Sequence, residues 1–251
     1  MNQPLLLTVV MPVFNERATL AASICRLRSV GLDVELICVD DGSTDGSVEI
    51  LSELKAKGLI DRVEYHHQNQ GKGTAVRTGF GLATGHAVTV LDADLEYDPN
   101  DLVPLLEPIR DGRADAVFGS RFLSGPRRVL YFWHRVGNTA LTILSNMLTD
   151  LDLTDMETCL KVVRREILQS LPLTARRFGI EPELTARLAQ AGARIYEVPI
   201  SYQGRTYAEG KKVNWKDGVA AIWHILRFNL MPPRARPARS DGSSSTGLGT
   251  A

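Results

Sequence analysis

Short apolar runs rich in β-branched residues alternate with longer stretches of helical periodicity through the first half of the chain. The runs are Leu5 to Met11, Val34 to Val39, Val63 to His66, Ala87 to Leu91 and Ala114 to Phe118. Between them, Arg17 to Val30, Asp45 to Lys57, Lys72 to Ala83 and Asn100 to Arg110 carry apolar residues at helical spacing. This alternation predicts an α/β fold, a mostly parallel central sheet with helices on both faces. Ligands of such sheets bind beyond the carboxyl ends of the strands, so the residues directly after each run hold the functional information.

After Phe118 the regular alternation fails. Val136 to Leu148, Glu181 to Ala191 and Trp215 to Met231 predict helices, and Leu160 to Val163 and Ile195 to Ile200 short strands. Ser201 to Asn214, with Gly204, Gly210, Lys211 and Lys212, has little periodicity and reads as a mobile loop of functional length. From Pro232 the chain turns Pro, Arg, Ser and Gly rich, so 232–251 is expected to be a disordered tail behind one domain over 1–231.

Composition narrows the function classes. A chain of 251 residues that is 44% hydrophobic and 23% charged buries a sizeable core, which excludes wholesale disorder and a coiled coil. Lys+Arg and Asp+Glu both number 29, so no global field holds the protein on nucleic acid or an acidic membrane. Any basic site is local. Cys25, Cys38 and Cys159 form no C-x-x-C pattern, which argues against a disulfide framework or zinc site and for a reducing, cytoplasmic location. Leu5 to Phe14 is interrupted by Thr8 and Pro12 and lacks the basic leader of a signal peptide. No stretch approaches the roughly 20 apolar residues of a membrane span, so membrane contact is expected to be peripheral. Trp215 to Met231 and Tyr131 to Leu148 fit either core helices or helices with an apolar edge to lipid.

Four strand ends carry chemistry. Asp92-Ala93-Asp94-Leu95-Glu96 gathers carboxylates whose repulsion a divalent cation relieves, Mg²⁺ or Mn²⁺ being the oxygen-loving candidates; a solvated turn before Asp98-Pro99 is the plain alternative. Asp40-Asp41-Gly42 offers acceptors for a base or ribose, although Asp-Gly also makes a turn and Thr44 or Asp45 a helix cap. Pro12 is expected to stop the first strand and Asn15 to cap the next helix. Gln70-Gly71-Lys72-Gly73 opens a helix whose amide end, with Lys72, suits a phosphate or base edge, yet matches neither the P-loop nor the dinucleotide fingerprint.

Together with Gly119-Ser120-Arg121 and Val10-Met11-Pro12-Val13-Phe14-Asn15-Glu16, these motifs resemble family 2 glycosyltransferases of the GT-A fold. Within them the chain is most similar to the dolichyl- or polyprenyl-phosphate sugar synthases, over about residues 5–230. The resemblance implies a Rossmann-like GT-A domain with a nucleotide-sugar half at 1–118 and an acceptor-side half at 119–231. It implies that Asp40, Asp41, Pro12, Asn15, Glu16, Lys72 and Asp92 line the donor pocket. Asp92, Asp94 and Glu96 would hold Mg²⁺ or Mn²⁺ at the donor diphosphate, and Arg205 would meet the donor from a mobile loop. Arg121 and Arg135 would hold a lipid phosphate, and with Asp94 form the catalytic set. Glu157, Lys211 and Lys212 are acceptor-side candidates. Asp155-Met156-Glu157-Thr158-Cys159 is more acidic than in the mannose synthases, which leaves the donor sugar and the role of Glu157 open.

The chemistry implied is inverting transfer of a hexose from a GDP-mannose or UDP-glucose type donor to polyprenyl phosphate, at the cytoplasmic face of a membrane or with a membrane partner. An anionic phosphate acceptor needs no strong base; a hydroxyl acceptor would, and Glu157 or Asp155 would then serve. A soluble transferase acting on a saccharide, glycerate or protein hydroxyl and a non-catalytic nucleotide-sugar binder are the rivals.

Overall fold

A computed structural model describes residues 6–123, 128–129, 131–205 and 215–231. Strands β1 (Leu7–Val13), β2 (Val34–Asp40), β3 (Arg62–Tyr65), β4 (Ala87–Val90), β5 (Ala116–Ser120), β6 (Lys161–Arg164) and β7 (Ile195–Pro199) form a seven-stranded sheet in the order β3-β2-β1-β4-β6-β5-β7. All neighbours run parallel except β6, which is antiparallel to both β4 and β5. That reversal matters for the site. The residues that precede β6 reach the same edge of the sheet as the residues that follow β1, β2, β4, β5 and β7.

Period-two alternation in β1 sorts the core. Leu7, Val9, Met11 and Val13 face one side, where they pack with α1 (Leu20–Arg28), α2 (Ser47–Ala56) and α4 (Leu102–Arg110) through residues such as Ile24, Leu51 and Leu105. Val10 faces the other, against Val76 and Phe80 of α3 (Lys72–Leu82), with Leu184 and Leu188 of α7 (Ile180–Gln190) in the same cluster. The short helix α6 (Arg165–Ser170), which periodicity did not announce, follows β6 directly. Helices α5 (Phe132–Thr149) and α8 (Trp215–Leu230) pack on each other, and Phe228 of α8 joins the second cluster.

Two expectations change. Pro12 does not end β1 but pairs with Val39 inside it. Its missing N–H costs no ladder bond, because Val13 directs its carbonyl to Asp41 on the β2 side, so Pro12 faces the β4 side beyond the last pair, Val10 with Val90. Asn15 caps no helix. It sits at φ 55° and accepts the Thr44 N–H through its side chain, while α1 starts only at Leu20 because the N–H groups of Glu16 and Arg17 are taken by Ser47 and Asp45. Residues 206–214 of the loop expected over 201–214, and the tail at 232–251, lie outside the described residues.

Gly79 explains how closely α3 approaches β1. A Cβ there would lie 2.3 Å from Val10 Cγ1. Gly79→Ala is expected to cost about 1–3 kcal/mol, read from the urea midpoint, and pairing it with Val10→Ala should restore part of that loss.

Candidate active site

The donor-side loops are built from carboxylates that hold backbone. Asp41 has a partner on each oxygen: it contacts His66 Nδ1 at 2.7 Å and accepts the N–H groups of Gln70 and Gly71 at 2.9 and 2.7 Å. It therefore fixes the loop that starts α3. Asp40 accepts the Gly42 and Ser43 N–H groups on one oxygen, while its other oxygen is buried without a partner among the described residues. Of the two acids expected beside a base or ribose, Asp40 is the one with a whole oxygen left over among the described residues. Glu16 stays at the same edge, with its carboxylate bonded by Thr19 and its charge felt by Arg205.

Beyond β4, Leu95 adopts φ 64°, a conformation rare for a side chain of its kind, which folds Asp94 and Glu96 back on each other. The Glu96 N–H donates to Asp94 at 3.1 Å. Burial, then the charges of Asp92 and Glu96, push the Asp94 carboxyl up to about 7. Lys72, at the start of α3, reaches Asp92 at 2.9 Å and Glu181 of α7 at 3.2 Å. Burial works against the Lys72 charge, yet Asp92 foremost and Glu181 with it hold its pKa well above the ordinary value. Among the described residues no three His, Cys, Asp or Glu side chains converge as a complete ligand set. One or two carboxylates suffice for Mg²⁺, which fills its shell with water and phosphate, and the crowding that raises Asp94 fits a cation there.

The acceptor-side edge centres on Arg121, directly after β5. Its Nε and Nη2 grip the two oxygens of Asp155 at 2.6 and 2.7 Å, and its N–H adds a third contact at 3.1 Å. Asn138 of α5 bonds both partners. Glu197 of β7 in turn accepts the N–H groups of Thr154 and Asp155. Burial opposes the Asp155 charge, but Arg121 outweighs it and holds the carboxyl below its usual range. Half of the guanidinium fork expected to meet phosphate is thus already spent, and Asp155 is unavailable as a base. Arg135, in the first turn of α5, remains exposed with its guanidinium 5.5 Å from the Phe122 ring.

Glu157 has one buried oxygen without a partner among the described residues, and burial, then the nearby Glu181, push its carboxyl up to about 7. The buried ammonium of Lys161 ties down the turn on either side of it, donating to the carbonyls of Met156 and Thr158 at 2.7 Å each. Lys211 and Lys212 lie outside the described residues. Sequence reasoning missed Glu181, in the first turn of α7, and Lys161, the first residue of β6, neither of which follows a strand, and gave Tyr202 no role. The Tyr202 hydroxyl donates to Glu96 at 2.6 Å, and its ring lies beneath Arg121 at 5.1 Å.

The profile of glycosyl transferase family 2 matches residues 8–171. The chain belongs to glycosyltransferase family 2. An undecaprenyl-phosphate mannosyltransferase of Micrococcus luteus is 31% identical to this glycosyltransferase over 240 residues, covering 88% of this chain and 97% of its own. A polyprenol monophosphomannose synthase of Mycolicibacterium smegmatis is 33% identical over 213 residues, covering 81% and 79%. Among solved structures, glucosyl-3-phosphoglycerate synthase of Mycobacterium tuberculosis, in complex with Mn²⁺, UDP and glucosyl-3-phosphoglycerate, superposes with a TM-score of 0.69 at 23% identity, over 91% of this chain and 81% of that one. Mannosyl-3-phosphoglycerate synthase of Rubrobacter xylanophilus does so at 0.69 and 17% identity, over 93% and 78%. The fold of this glycosyltransferase is GT-A, with the acid cluster after β4 and the Arg121–Asp155 pair at one edge of its sheet.

Proposed function

We propose that the enzyme transfers a hexose from a nucleotide diphosphate sugar to a polyprenyl phosphate with inversion at the anomeric carbon. One observation carries the choice of acceptor. Along α5 an unbroken exposed apolar stripe, Phe132 and Trp133 (69% and 76% exposed), Val136, Ala140, Ile143 and Met147 (77%), starts beside Arg135 and Asn138, the latter bonded to Arg121. A cationic start to an apolar stripe matches a ligand with a phosphate head and a hydrocarbon tail. Two relatives above 30% identity whose names specify polyprenyl acceptors support the same reading.

Within this reading Asp40 accepts from the base or ribose, and Asp92, Asp94 and Glu96 would hold Mg²⁺ or Mn²⁺. When bound there, such an ion would supply positive charge to the departing diphosphate. Arg135 and the outer face of Arg121 orient the acceptor phosphate, whose oxygen is already anionic and attacks the anomeric carbon as the carbon–diphosphate bond breaks. No described helix is long and apolar enough to cross a membrane. The α5 stripe and Val219, Ile222 and Trp223 of α8 would rest in the lipid interface instead. Phe132→Asp with Trp133→Asp is expected to reduce sedimentation with liposomes at least about tenfold, since each large side chain withdrawn from lipid forfeits about 2 kcal/mol. Unchanged sedimentation would remove the interfacial role.

The decisive assay offers GDP- and UDP-sugars with Mg²⁺ or Mn²⁺ to a short polyprenyl phosphate and reads products by mass and anomeric configuration. Turnover only with hydroxyl acceptors, or a retained anomeric centre, would reject the proposal. One observation favours the hydroxyl rival: Glu157, near pH 7 and unpartnered on one oxygen, has the properties of a general base. The two readings separate at that residue. With a hydroxyl acceptor, rate should rise with pH through about 7 as Glu157 loses its proton, and Glu157→Gln should abolish it. With a phosphate acceptor, Glu157→Gln is expected to keep turnover within about tenfold and to leave no inflection of Glu157 in the pH profile.

A further inference from the structure

Each of the three carboxylates Asp92, Asp94 and Glu96 is already opposed by a cation of this chain. Lys72 Nζ lies 2.9 Å from Asp92, Arg205 Nη2 2.8 Å from Asp94, and Arg205 Nε 2.9 Å from Glu96. The segment that brings Arg205 there is laced along its length to the acid turn. Gln203 N–H donates to the Glu96 carbonyl at 2.9 Å, Arg205 N–H to the Glu96 carboxylate at 3.2 Å, and Tyr202 pairs with Tyr97 across an antiparallel bridge. The two cations are not equivalent. Lys72 is enclosed between Asp92, Glu181 and Cys159 and belongs to the packing of α3 on α7. Arg205 comes from a segment beyond β7, its side chain is 23% exposed, and among the described residues its close ion pairs are with Asp94 and Glu96, Glu16 adding its charge from farther off.

A guanidinium and a divalent cation seek the same carboxylate lone pairs, here Asp94 Oδ2 and Glu96 Oε1. We infer that Arg205 is the internal cation of the donor-free enzyme, occupying these two acids until an incoming diphosphate draws the guanidinium onto its own oxygens and releases them to a metal ion. The inference rests on the proposed reading of the cluster as the metal site. It makes metal and nucleotide binding mutually dependent: the ion alone must displace a bidentate guanidinium, whereas with nucleotide present that group has somewhere better to go. By linkage each ligand then tightens the other by the same factor. It also keeps the acid turn and the 202–205 segment ordered between catalytic cycles.

Mn²⁺ titrations of the full chain, followed by the paramagnetic resonance of the free ion with and without saturating GDP or UDP, test this directly. Arg205→Gln is expected to bind Mn²⁺ about tenfold more tightly than wild type when no nucleotide is present, the scale of a charge-assisted contact removed from the competitor. Arg205→Lys, which keeps the charge, should stay within a few-fold of wild type. Nucleotide should tighten Mn²⁺ strongly in wild type and much less in Arg205→Gln. Equal or weaker Mn²⁺ binding by Arg205→Gln without nucleotide overturns the inference, while nucleotide-dependent binding in wild type would still uphold the metal site. Absence of Mn²⁺ binding by all the proteins under all conditions overturns both.

Discussion

Replacing Asp92 and Asp94 together by Asn is expected to lower kcat/KM by at least about 10³-fold and to erase the effect of Mg²⁺ or Mn²⁺ on donor affinity measured by calorimetry. The amides preserve volume and hydrogen-bonding reach, so the fold and the Leu95 turn should survive, as a near-native melting curve would verify. What the change removes is charge. Asp94 sits against Asp92 and Glu96, and burial first, then those two charges, raise its carboxyl. Evolution has no packing reason to gather them, because Ala93, Leu91 and Tyr97 supply the buried apolar contacts of this segment without help. The crowding becomes useful when the leaving diphosphate and its counter-ion arrive. Should the double variant retain donor affinity and turnover in a chelator, the proposed role of the cluster is gone.

The parts of this architecture written locally could be read from the sequence, and the parts created by chain reversal could not. The β-branched runs and helical spacing up to Phe118 located β1 to β5 and α1 to α4 to within a few residues, because a parallel sheet buried on both faces leaves a continuous apolar signature. The acidic turn after β4 and the Asp-Asp-Gly turn after β2 were visible for the same reason: polar residues directly after a strand of a parallel sheet have one destination. Asp155, Glu157 and Cys159 lie before β6, and nothing in the composition of Lys161–Arg164 says that this strand runs backwards between β4 and β5. Its direction alone brings them to the site. Partnerships were equally invisible. Asn15 looked like a cap because Asn before a helix usually is one, but a 28-residue loop closure gave it Ser43 and Thr44 instead. That Asp155 claims half of the fork of Arg121, the expected phosphate ligand, was likewise hidden in the sequence.

That claim makes Asp155 the position where a single substitution should cost most stability. Its side chain is 0% exposed beside an Arg121 side chain that is 15% exposed, and removing one partner of such a pair leaves a buried guanidinium uncompensated. Asp155→Ala is therefore expected to cost about 3–5 kcal/mol, a large share of the 5–15 kcal/mol typical of a domain, and to lower Tm by about 10 °C. The contribution follows pH with a definite sign. Because Asp155 is held below its unfolded pKa, the pair stabilises fully above that value, about 3.9, and the benefit fades as pH falls through the folded one. Turnover should fall as well, since Asp155, Asn138 and the Tyr202 ring together aim Arg121 along the site edge. Arg121→Lys keeps the charge without the fork and is expected to raise KM for the acceptor more than it lowers Tm. Converting both Arg121 and Asp155 to Met separates scaffold from chemistry. Two apolar side chains of similar volume should recover much of the stability that Asp155→Ala loses. Recovered stability with turnover still depressed would assign Arg121 to the reaction, whereas recovery of both would reduce the pair to a strut between β5 and the segment leading into β6.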